Sequence, residues 1–270
     1  MPHGPRRRGT RHTQRRYTAP MFTFLLACAS APEPSEPGPP AELAVLATKV
    51  VTSTAGEVQD VALAPEPPAE PTPLEEPTVP VFTSSISPIS PEIRAAMLET
   101  GVWKEGCPVP LDALREIQIA HHTLDGVETG LLVAATVQAV GLVQVFATLY
   151  ENQVIVEKIR PAHEYGGDDH KMMADNNTSA FNCRPVEGGA KYSEHSYGHA
   201  LDLNPLWNPY VRGEKVQPPG GVDYLDRTVE KSGLVRDGDL VVQAFGSIGW
   251  KWGGTWTRSQ DYQHFSATGK

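Results

Sequence analysis

The stretch Ser193-Glu-His-Ser-Tyr-Gly-His-Ala-Leu-Asp202 is the most informative part of the sequence, together with a second stretch, Asp261-Tyr-Gln-His264. Imidazole and carboxylate groups are the usual non-thiol ligands of zinc, and a catalytic zinc keeps three protein ligands and one open position. His195, Asp202 and His264 supply such a set. The sequence therefore predicts one catalytic Zn²⁺ held by these three residues.

The spacing inside the first stretch predicts how its two ligands meet. His195 and Asp202 are seven residues apart, which is too far for one helical turn. We therefore expect a loop and a strand that cross at a common point. Gly198 and Ala200 fit this expectation, because small residues let the backbone pass close to an ion and its substrate.

Other polar residues near the ligands are predicted to serve the same site. Asp261 lies three residues before His264, close enough for its carboxylate to act as a general base. Ser193 is expected to orient the site through a hydrogen bond. The ionisable cluster around Gly166 and Gly167 is interpreted as a polar loop near the cleft, with a second metal as the alternative; it contains His163, Asp168, Asp169 and His170.

Hydrophobic periodicity and turn signals predict the helices and strands around these motifs. The expected helices are 91–100, capped by Ser90, then 136–150 and 240–248, and the expected strands are 114–123, 129–135 and 154–159. In helix 136–150 the side chains expected to face the core are Val137, Val140, Phe146 and Leu149. Helices grouped before and after strands, without regular βαβ alternation, predict an α+β fold with a mainly antiparallel sheet flanked by helices.

The pattern Ser-x-His-x-x-Gly-x-Ala-x-Asp, followed by Asp-x-x-His, resembles the zinc D-alanyl-D-alanine carboxypeptidase family. That family includes VanX- and VanY-type enzymes and the L-alanyl-D-glutamate endopeptidases of phage endolysins. Further similar segments are 176–184, 204–210 and 249–254, so the resemblance covers residues from about Trp103 to Ser266. It implies the Hedgehog/DD-peptidase fold and a zinc peptidase domain at 90–270.

The resemblance also implies a role for Arg184, in Phe-Asn-Cys-Arg. In the family, an arginine upstream of the first histidine ligand contacts the scissile carbonyl or the substrate carboxylate, and Arg184 is similar to it. Positive charge placed where an oxyanion develops lowers the reaction barrier, which explains the residue type. The alternative for Arg184 is a structural ion pair.

The first third of the sequence lacks the composition of a folded core. Residues 1–30 combine six arginines with a short apolar run, 21–29, and this pattern predicts an export signal. Leu25-Leu-Ala-Cys28 resembles a bacterial lipoprotein box, so Cys28 is a candidate for acylation and membrane anchoring; a simple secretory signal is the alternative. Residues 31–89 are rich in Pro, Ala and Glu, which predicts a disordered linker. We therefore expect an exported protein of the periplasm or cell envelope.

The cysteines are consistent with an exported protein. If Cys28 is removed or acylated, Cys107 and Cys183 remain as a pair in a compartment where disulfides persist. Thiol ligands for the metal would call for a close spacing such as C-x-x-C, and the sequence contains none. We predict a Cys107–Cys183 disulfide.

Two classes of function remain open at this point. The first is a zinc metallopeptidase that hydrolyses peptidoglycan stem peptides, as a D-alanyl-D-alanine carboxypeptidase or as an L-alanyl-D-glutamate endopeptidase. The second is a noncatalytic cell-wall-binding lipoprotein that retains the metal site. The net charge of −9 argues against a nucleic-acid partner, and we expect a monomer whose partners are peptidoglycan peptides.

Overall fold

A computed structural model of the chain describes residues 81–270, together with Met1 and Gly4. The chain divides into two compact units, 1–70 and 71–270, and the described helices and strands belong to the second. The expected export signal, Cys28 and most of the expected linker lie outside the described residues. No helix in the described part of the chain has the length and hydropathy needed to cross a bilayer.

Short helices and short strands make up the domain. The helices are α1 (Pro91–Glu99), α2 (Thr136–Glu151), α3 (Asp169–Ala174) and α4 (Leu240–Ser247). The strands are β1 (Ser84–Pro88), β2 (Leu114–His122), β3 (Val127–Ala135), β4 (Lys158–Ile159), β5 (Asn177–Thr178), β6 (Ala200–Asp202), β7 (Tyr210–Arg212), β8 (Lys215–Gln217), β9 (Lys251–Trp252), β10 (Gln260–Asp261) and β11 (His264–Ser266). Most strand pairings among the described residues are antiparallel, and β4 and β5 pair in parallel, so the predicted α+β class is confirmed.

The largest sheet has the order β1-β2-β3. Strands β2 and β3 pair in antiparallel register from Leu114 opposite Ala135 to His122 opposite Val127. Strand β1 pairs with β2 along its whole length, although its residues fall within the range 31–89 predicted as linker. The folded domain therefore begins before the expected boundary at residue 90. Helix α1 starts where the sequence predicted, because Ser90 Oγ accepts a hydrogen bond from the backbone N–H of Ile93.

Helix α2 packs against this sheet, but the face predicted to be buried is partly wrong. Phe146 and Leu149 are buried as expected, whereas Val137 and Val140 are 79% and 61% exposed. Successive helical residues are rotated by about 100°, which places these two valines opposite the buried face. The side chains that α2 buries are Ala139, Leu142, Val145, Phe146, Leu149 and Tyr150.

The predicted strand 154–159 is shorter than expected. Only Lys158 and Ile159 form β4, and Ile155 adds one isolated bridge to His122. Gly130 of β3 permits the close approach of this segment, because a Cβ there would lie 2.3 Å from the Cβ of Ile159.

The C-terminal third of the domain forms two small sheets, with the orders β6-β11-β9 and β10-β7-β8. Helix α4 packs against β9, and the Phe245 ring stacks on Phe265 of β11 with ring centroids 4.0 Å apart. Both phenylalanines are fully buried. This aromatic contact fixes β11 to the core and so fixes the residues at its start.

A disulfide joins Cys107 and Cys183, as the sequence predicted. The two cysteines are 76 residues apart in the sequence. They pack against a second hydrophobic cluster that includes Met97, Leu114 and Phe181. The bond connects the segment after α1 to the residue that precedes Arg184.

Replacing both Cys107 and Cys183 with serine should lower the free energy of unfolding by about 2–4 kcal/mol, because the unfolded chain then regains the freedom of a long loop. Denaturant unfolding of the variant, compared with the wild type with and without reductant, measures this loss. The reduced wild type should match the variant. Free alkylation of both thiols in unreduced, exported protein would contradict the disulfide.

Candidate metal centre

His195 lies in the 3₁₀ turn Glu194–Tyr197, which follows Ser193 and ends at Gly198. Ser193 Oγ accepts a hydrogen bond of 3.4 Å from the backbone N–H of His195, so the serine caps the turn. Gly198 has a φ of 66°, and a Cβ there would lie 2.5 Å from the backbone nitrogen of Ala135. The turn therefore packs against the end of β3 only because residue 198 lacks a side chain.

The two ring nitrogens of His195 have different partners, and together these orient the ring toward Asp202. Its Nδ1 lies 2.6 Å from the carbonyl oxygen of Ala180 and, because a carbonyl only accepts, must carry the proton. Its Nε2 lies 3.2 Å from Oδ2 of Asp202. His195 is buried, and Nε2 is its available ligand atom.

His264 reaches the same carboxylate through the pairing of two strands. In the antiparallel pair β6 and β11, His264 lies directly opposite Asp202. Directly opposed side chains project from the same face of a sheet, and Nδ1 of His264 accordingly lies 3.0 Å from Oδ1 of Asp202. Nε2 lies 2.9 Å from the carbonyl oxygen of Lys270, which leaves Nδ1 as the ligand atom.

The three predicted ligands therefore converge. One ligand atom each from His195, Asp202 and His264 lies within 4.8 Å of the others. Each imidazole donates its second ring N–H to a backbone carbonyl oxygen, an arrangement that fixes the tautomer and the ring orientation of metal-binding histidines. Two imidazoles and one carboxylate match the donor set of a catalytic zinc. This group fits a divalent metal ion.

The protonation states of Asp202 and His264 at this site are coupled through their direct contact. Burial opposes ionisation of Asp202, but the imidazoles of His195 and His264 hold the pKa of Asp202 well below its usual range. Burial would lower the pKa of His264, yet the hydrogen bond and charge of Asp202 raise the pKa of His264 to about 9. A cation bound here would take the place of the positive charge on the imidazole of His264.

Asp261 borders the same centre. It lies opposite Tyr210 in the pair formed by β10 and β7, and its Oδ1 is buried without a hydrogen-bond partner among the described residues. Burial raises the pKa of Asp261 to about 6. Gly253 makes room for this arrangement, since a Cβ there would lie 2.8 Å from the carbonyl oxygen of Asp261 and 3.3 Å from the Cβ of His264.

The sequence left two roles open for Arg184, a contact with the substrate and a structural ion pair, and its surroundings are compatible with both. Its Nε forms an ion pair with Oδ2 of Asp169 at the start of α3. The side chain of Arg184 also borders the cavity of the metal centre and is 30% exposed. Arg184 is thus an ion-pair partner that keeps part of its guanidinium accessible.

One cavity of about 1220 Å³ is lined by Arg184, His195, Asp202, Asp261 and His264. That volume exceeds the range typical of drug-sized pockets, roughly 300–1,000 Å³, and is large enough for a short peptide. Its lining includes Asp169 and His170 of the predicted polar loop, while Asp168 caps α3. Among described residues, this loop shows no second group able to hold a metal.

Three supporting groups could not be predicted from the motifs. The carbonyl oxygens of Ala180 and Lys270 orient the histidines, and a backbone carbonyl carries no signal in the residue type. Asp169 was identified only as part of a polar loop, because its contact with Arg184 depends on tertiary structure.

Comparison with known proteins identifies a family for part of the chain. Residues 187–267 match the family model Peptidase_M15_4, described as D-alanyl-D-alanine carboxypeptidase. The matched segment contains His195, Asp202, Asp261 and His264, whereas Arg184 precedes it. Neither a curated protein nor a solved structure matches the chain significantly. The match confirms the family resemblance and supports a peptidoglycan-related metallopeptidase.

Gly253→Ala should destabilise the domain and displace Asp261, because the new methyl group would overlap the backbone of β10. We expect a loss of about 1–3 kcal/mol in the free energy of unfolding, the usual cost of overpacking. Gly246→Ala in α4 is the matched control, since a Cβ there meets nothing within 4 Å. The control should be neutral or stabilising by up to about 1 kcal/mol in denaturant unfolding. Equal stability of both variants would contradict this packing.

Proposed function

We propose, from the match of residues 187–267 to the family model described as D-alanyl-D-alanine carboxypeptidase, that this chain is a zinc metallopeptidase of peptidoglycan stem peptides. One observation carries the proposal: the ligand atoms of His195, Asp202 and His264 converge in a cavity that also contains Oδ1 of Asp261, an oxygen with no hydrogen-bond partner within residues 81–270. A structural zinc site normally closes its fourth position with a protein ligand, whereas a catalytic site leaves it open. A set of three ligands beside a buried carboxylate favours catalysis over a purely structural metal.

The proposed metal is held by Nε2 of His195, Nδ1 of His264 and the carboxylate of Asp202. Zinc, when bound, acidifies a water molecule and polarises the carbonyl of the scissile bond. The chain contributes orientation: hydrogen bonds to Ala180 and Lys270 keep each imidazole in the tautomer that presents its ligand nitrogen.

Asp261 is the proposed general base. Its buried Oδ1 has no hydrogen-bond partner in the described part of the chain, so it can receive the proton of the attacking water. The same oxygen can return that proton to the leaving amine when the peptide bond breaks. Direct attack by water requires no covalent intermediate, so neither Ser193 nor Ser196 needs to act as a nucleophile. Ser193 caps the turn of His195, and Ser196 Oγ donates to the carbonyl oxygen of Arg184.

Arg184 is the proposed electrostatic partner of the developing oxyanion. Its side chain borders the cavity, and a fixed positive charge at such a position lowers a reaction barrier by several kcal/mol.

The family description favours removal of a terminal D-alanine; cleavage between L-alanine and D-glutamate would use the same groups. The Cys107–Cys183 disulfide is consistent with the expected exported location, which stays a prediction, as does the acylation of Cys28.

Purified protein should contain about one zinc per chain, and His195→Ala or His264→Ala should remove most of it, because two ligands rarely retain zinc at low concentration. Metal analysis of the purified variants after dialysis measures this loss. His199→Ala is the matched control: His199 borders the cavity but is outside the ligand group, so this variant should keep its zinc. Full zinc content in both ligand variants would refute the assignment.

Asp261→Asn should keep its zinc and its fold while kcat falls by about 10²–10⁴-fold, because the three ligands remain and only the proton acceptor is lost. Digestion of muropeptides, followed by mass spectrometry of the products, measures turnover and identifies the bond that is cut. Asp112→Asn is the control, since Asp112 has an exposed side chain (88%) and does not line the cavity.

The outcomes of this experiment separate the alternatives. Loss of zinc from Asp261→Asn would make Asp261 a ligand, and unchanged turnover would place the base elsewhere. A wild-type protein that binds zinc and cell-wall sacculi but releases no product between about pH 5 and pH 9 would favour the noncatalytic wall-binding protein.

A further inference from the structure

We propose that Asp169 is a positioning residue that holds the guanidinium of Arg184 in its working orientation before substrate arrives. The inference rests on the proposed function, and it assigns to α3 a part in the reaction. Asp169 lies outside the segment that matches the family model, as does Arg184. Asn182 contacts the side chain of Asp169, and Ser196 contacts the backbone of Arg184.

The carboxylate of Asp169 is itself fixed. Its Oδ1 accepts a hydrogen bond of 2.8 Å from Nδ2 of Asn182, and its Oδ2 pairs with Nε of Arg184. Nδ2 of Asn182 also donates to the carbonyl oxygen of Gly167 at 3.0 Å. Asn182 is buried, so this amide anchors the loop before α3 and the carboxylate at its start together.

The backbone of Arg184 is held with equal firmness. Its N–H donates to Oγ of Ser196 at 2.9 Å, and the hydroxyl of Ser196 donates to its carbonyl oxygen at 2.7 Å. Cys183, the preceding residue, is fixed by the disulfide to Cys107. Both ends of the Arg184 side chain are thus constrained, at the backbone by Ser196 and at the guanidinium by Asp169.

This arrangement leaves one part of the guanidinium for a ligand. Nε is buried and forms an ion pair with Oδ2 of Asp169 that lies outside hydrogen-bond geometry. Nη1 makes one long contact of 3.4 Å with the carbonyl oxygen of Pro185. Within residues 81–270, Nη2 makes no hydrogen bond, and the accessible part of the side chain borders the cavity. A guanidinium carries five N–H donors in a rigid plane, so fixing Nε also fixes the direction of both Nη groups.

The expected benefit is preorganisation. A donor that is already aligned when the oxyanion develops needs no reorganisation during the reaction, and an unanchored arginine would lose rotamer freedom at that moment. Since the oxyanion exists only after attack, the contribution of Asp169 should appear in kcat more than in KM. A purely structural ion pair would instead affect stability and leave kcat unchanged.

The test is a double-mutant cycle on the full chain with zinc bound, using Asp169→Asn and Arg184→Ala. Asp169→Asn should lower kcat on muropeptides by about 10–100-fold with KM changed by less than about threefold, and Arg184→Ala should lower kcat by about 10²–10³-fold. In the Arg184→Ala background, Asp169→Asn should have no further effect, because Asp169 acts through the arginine. Asp169→Glu should recover part of the lost turnover.

Asp168→Asn is the matched control. Asp168 is the neighbouring acidic residue, it caps α3 through its side chain, and it does not contact Arg184. Asparagine is an equally good cap, so this variant should retain wild-type kcat and stability. A second measurement is the NMR signal of the Arg184 Nε–H, which should be protected from exchange in the wild type and in Asp168→Asn, and unprotected in Asp169→Asn.

Each outcome decides the question. Wild-type kcat in Asp169→Asn, or an equal loss of kcat in the presence and absence of Arg184, would overturn the positioning role and leave the proposed function intact. A wild-type chain that hydrolyses no muropeptide would overturn the proposed function and the role of Asp169 with it. A loss in Asp169→Asn that disappears in the Arg184→Ala background supports the inference.

Discussion

The pairing of β11 with β6 is the constraint on which the metal centre depends. It places His264 directly opposite Asp202, although the two residues are 62 positions apart in the sequence. A shift of one residue in this register would turn the imidazole to the other face of the sheet. The stack of Phe245 on Phe265, the residue after His264, opposes such a shift because it buries a large side chain on the correct face. Hydrophobic packing of Phe265 therefore fixes the position of the His264 imidazole relative to Asp202.

Charged groups at the centre are tolerated because each has a partner. A buried carboxylate alone would be costly, but Asp202 contacts an imidazole nitrogen with each oxygen. Asp261 differs, since its Oδ1 is buried without a partner among the described residues. Stable folds rarely leave such an oxygen unpaired, and the exceptions concentrate where a ligand completes the set. The two aspartates therefore differ: both oxygens of Asp202 have a partner, whereas Oδ1 of Asp261 has none among the described residues.

Sequence reasoning predicted the features that depend on residue type and local spacing. The convergence of His195, Asp202 and His264, the cap at Ser90 and the Cys107–Cys183 pair all appear in the structure. Sequence reasoning failed where contacts between distant parts of the chain determine which side chains are buried or paired. Val137 and Val140 follow an apolar pattern but face outward, because the sheet contacts the opposite face of α2. The contact of Asp169 with Arg184 joins residues whose separation carries no periodic signal.

Strand β1 has a consequence for the solubility of the domain. It covers the outer edge of β2 with a short strand whose five residues are all exposed, three of them serines, and which ends in a proline. Proteins commonly protect sheet edges with short strands and proline, since an open edge is a template for another chain. A truncated chain that starts at residue 90 would expose the hydrogen-bonding groups of β2 beside buried Ile117 and Ile119. Such a chain would keep every ligand of the metal centre and yet be prone to aggregate through that edge.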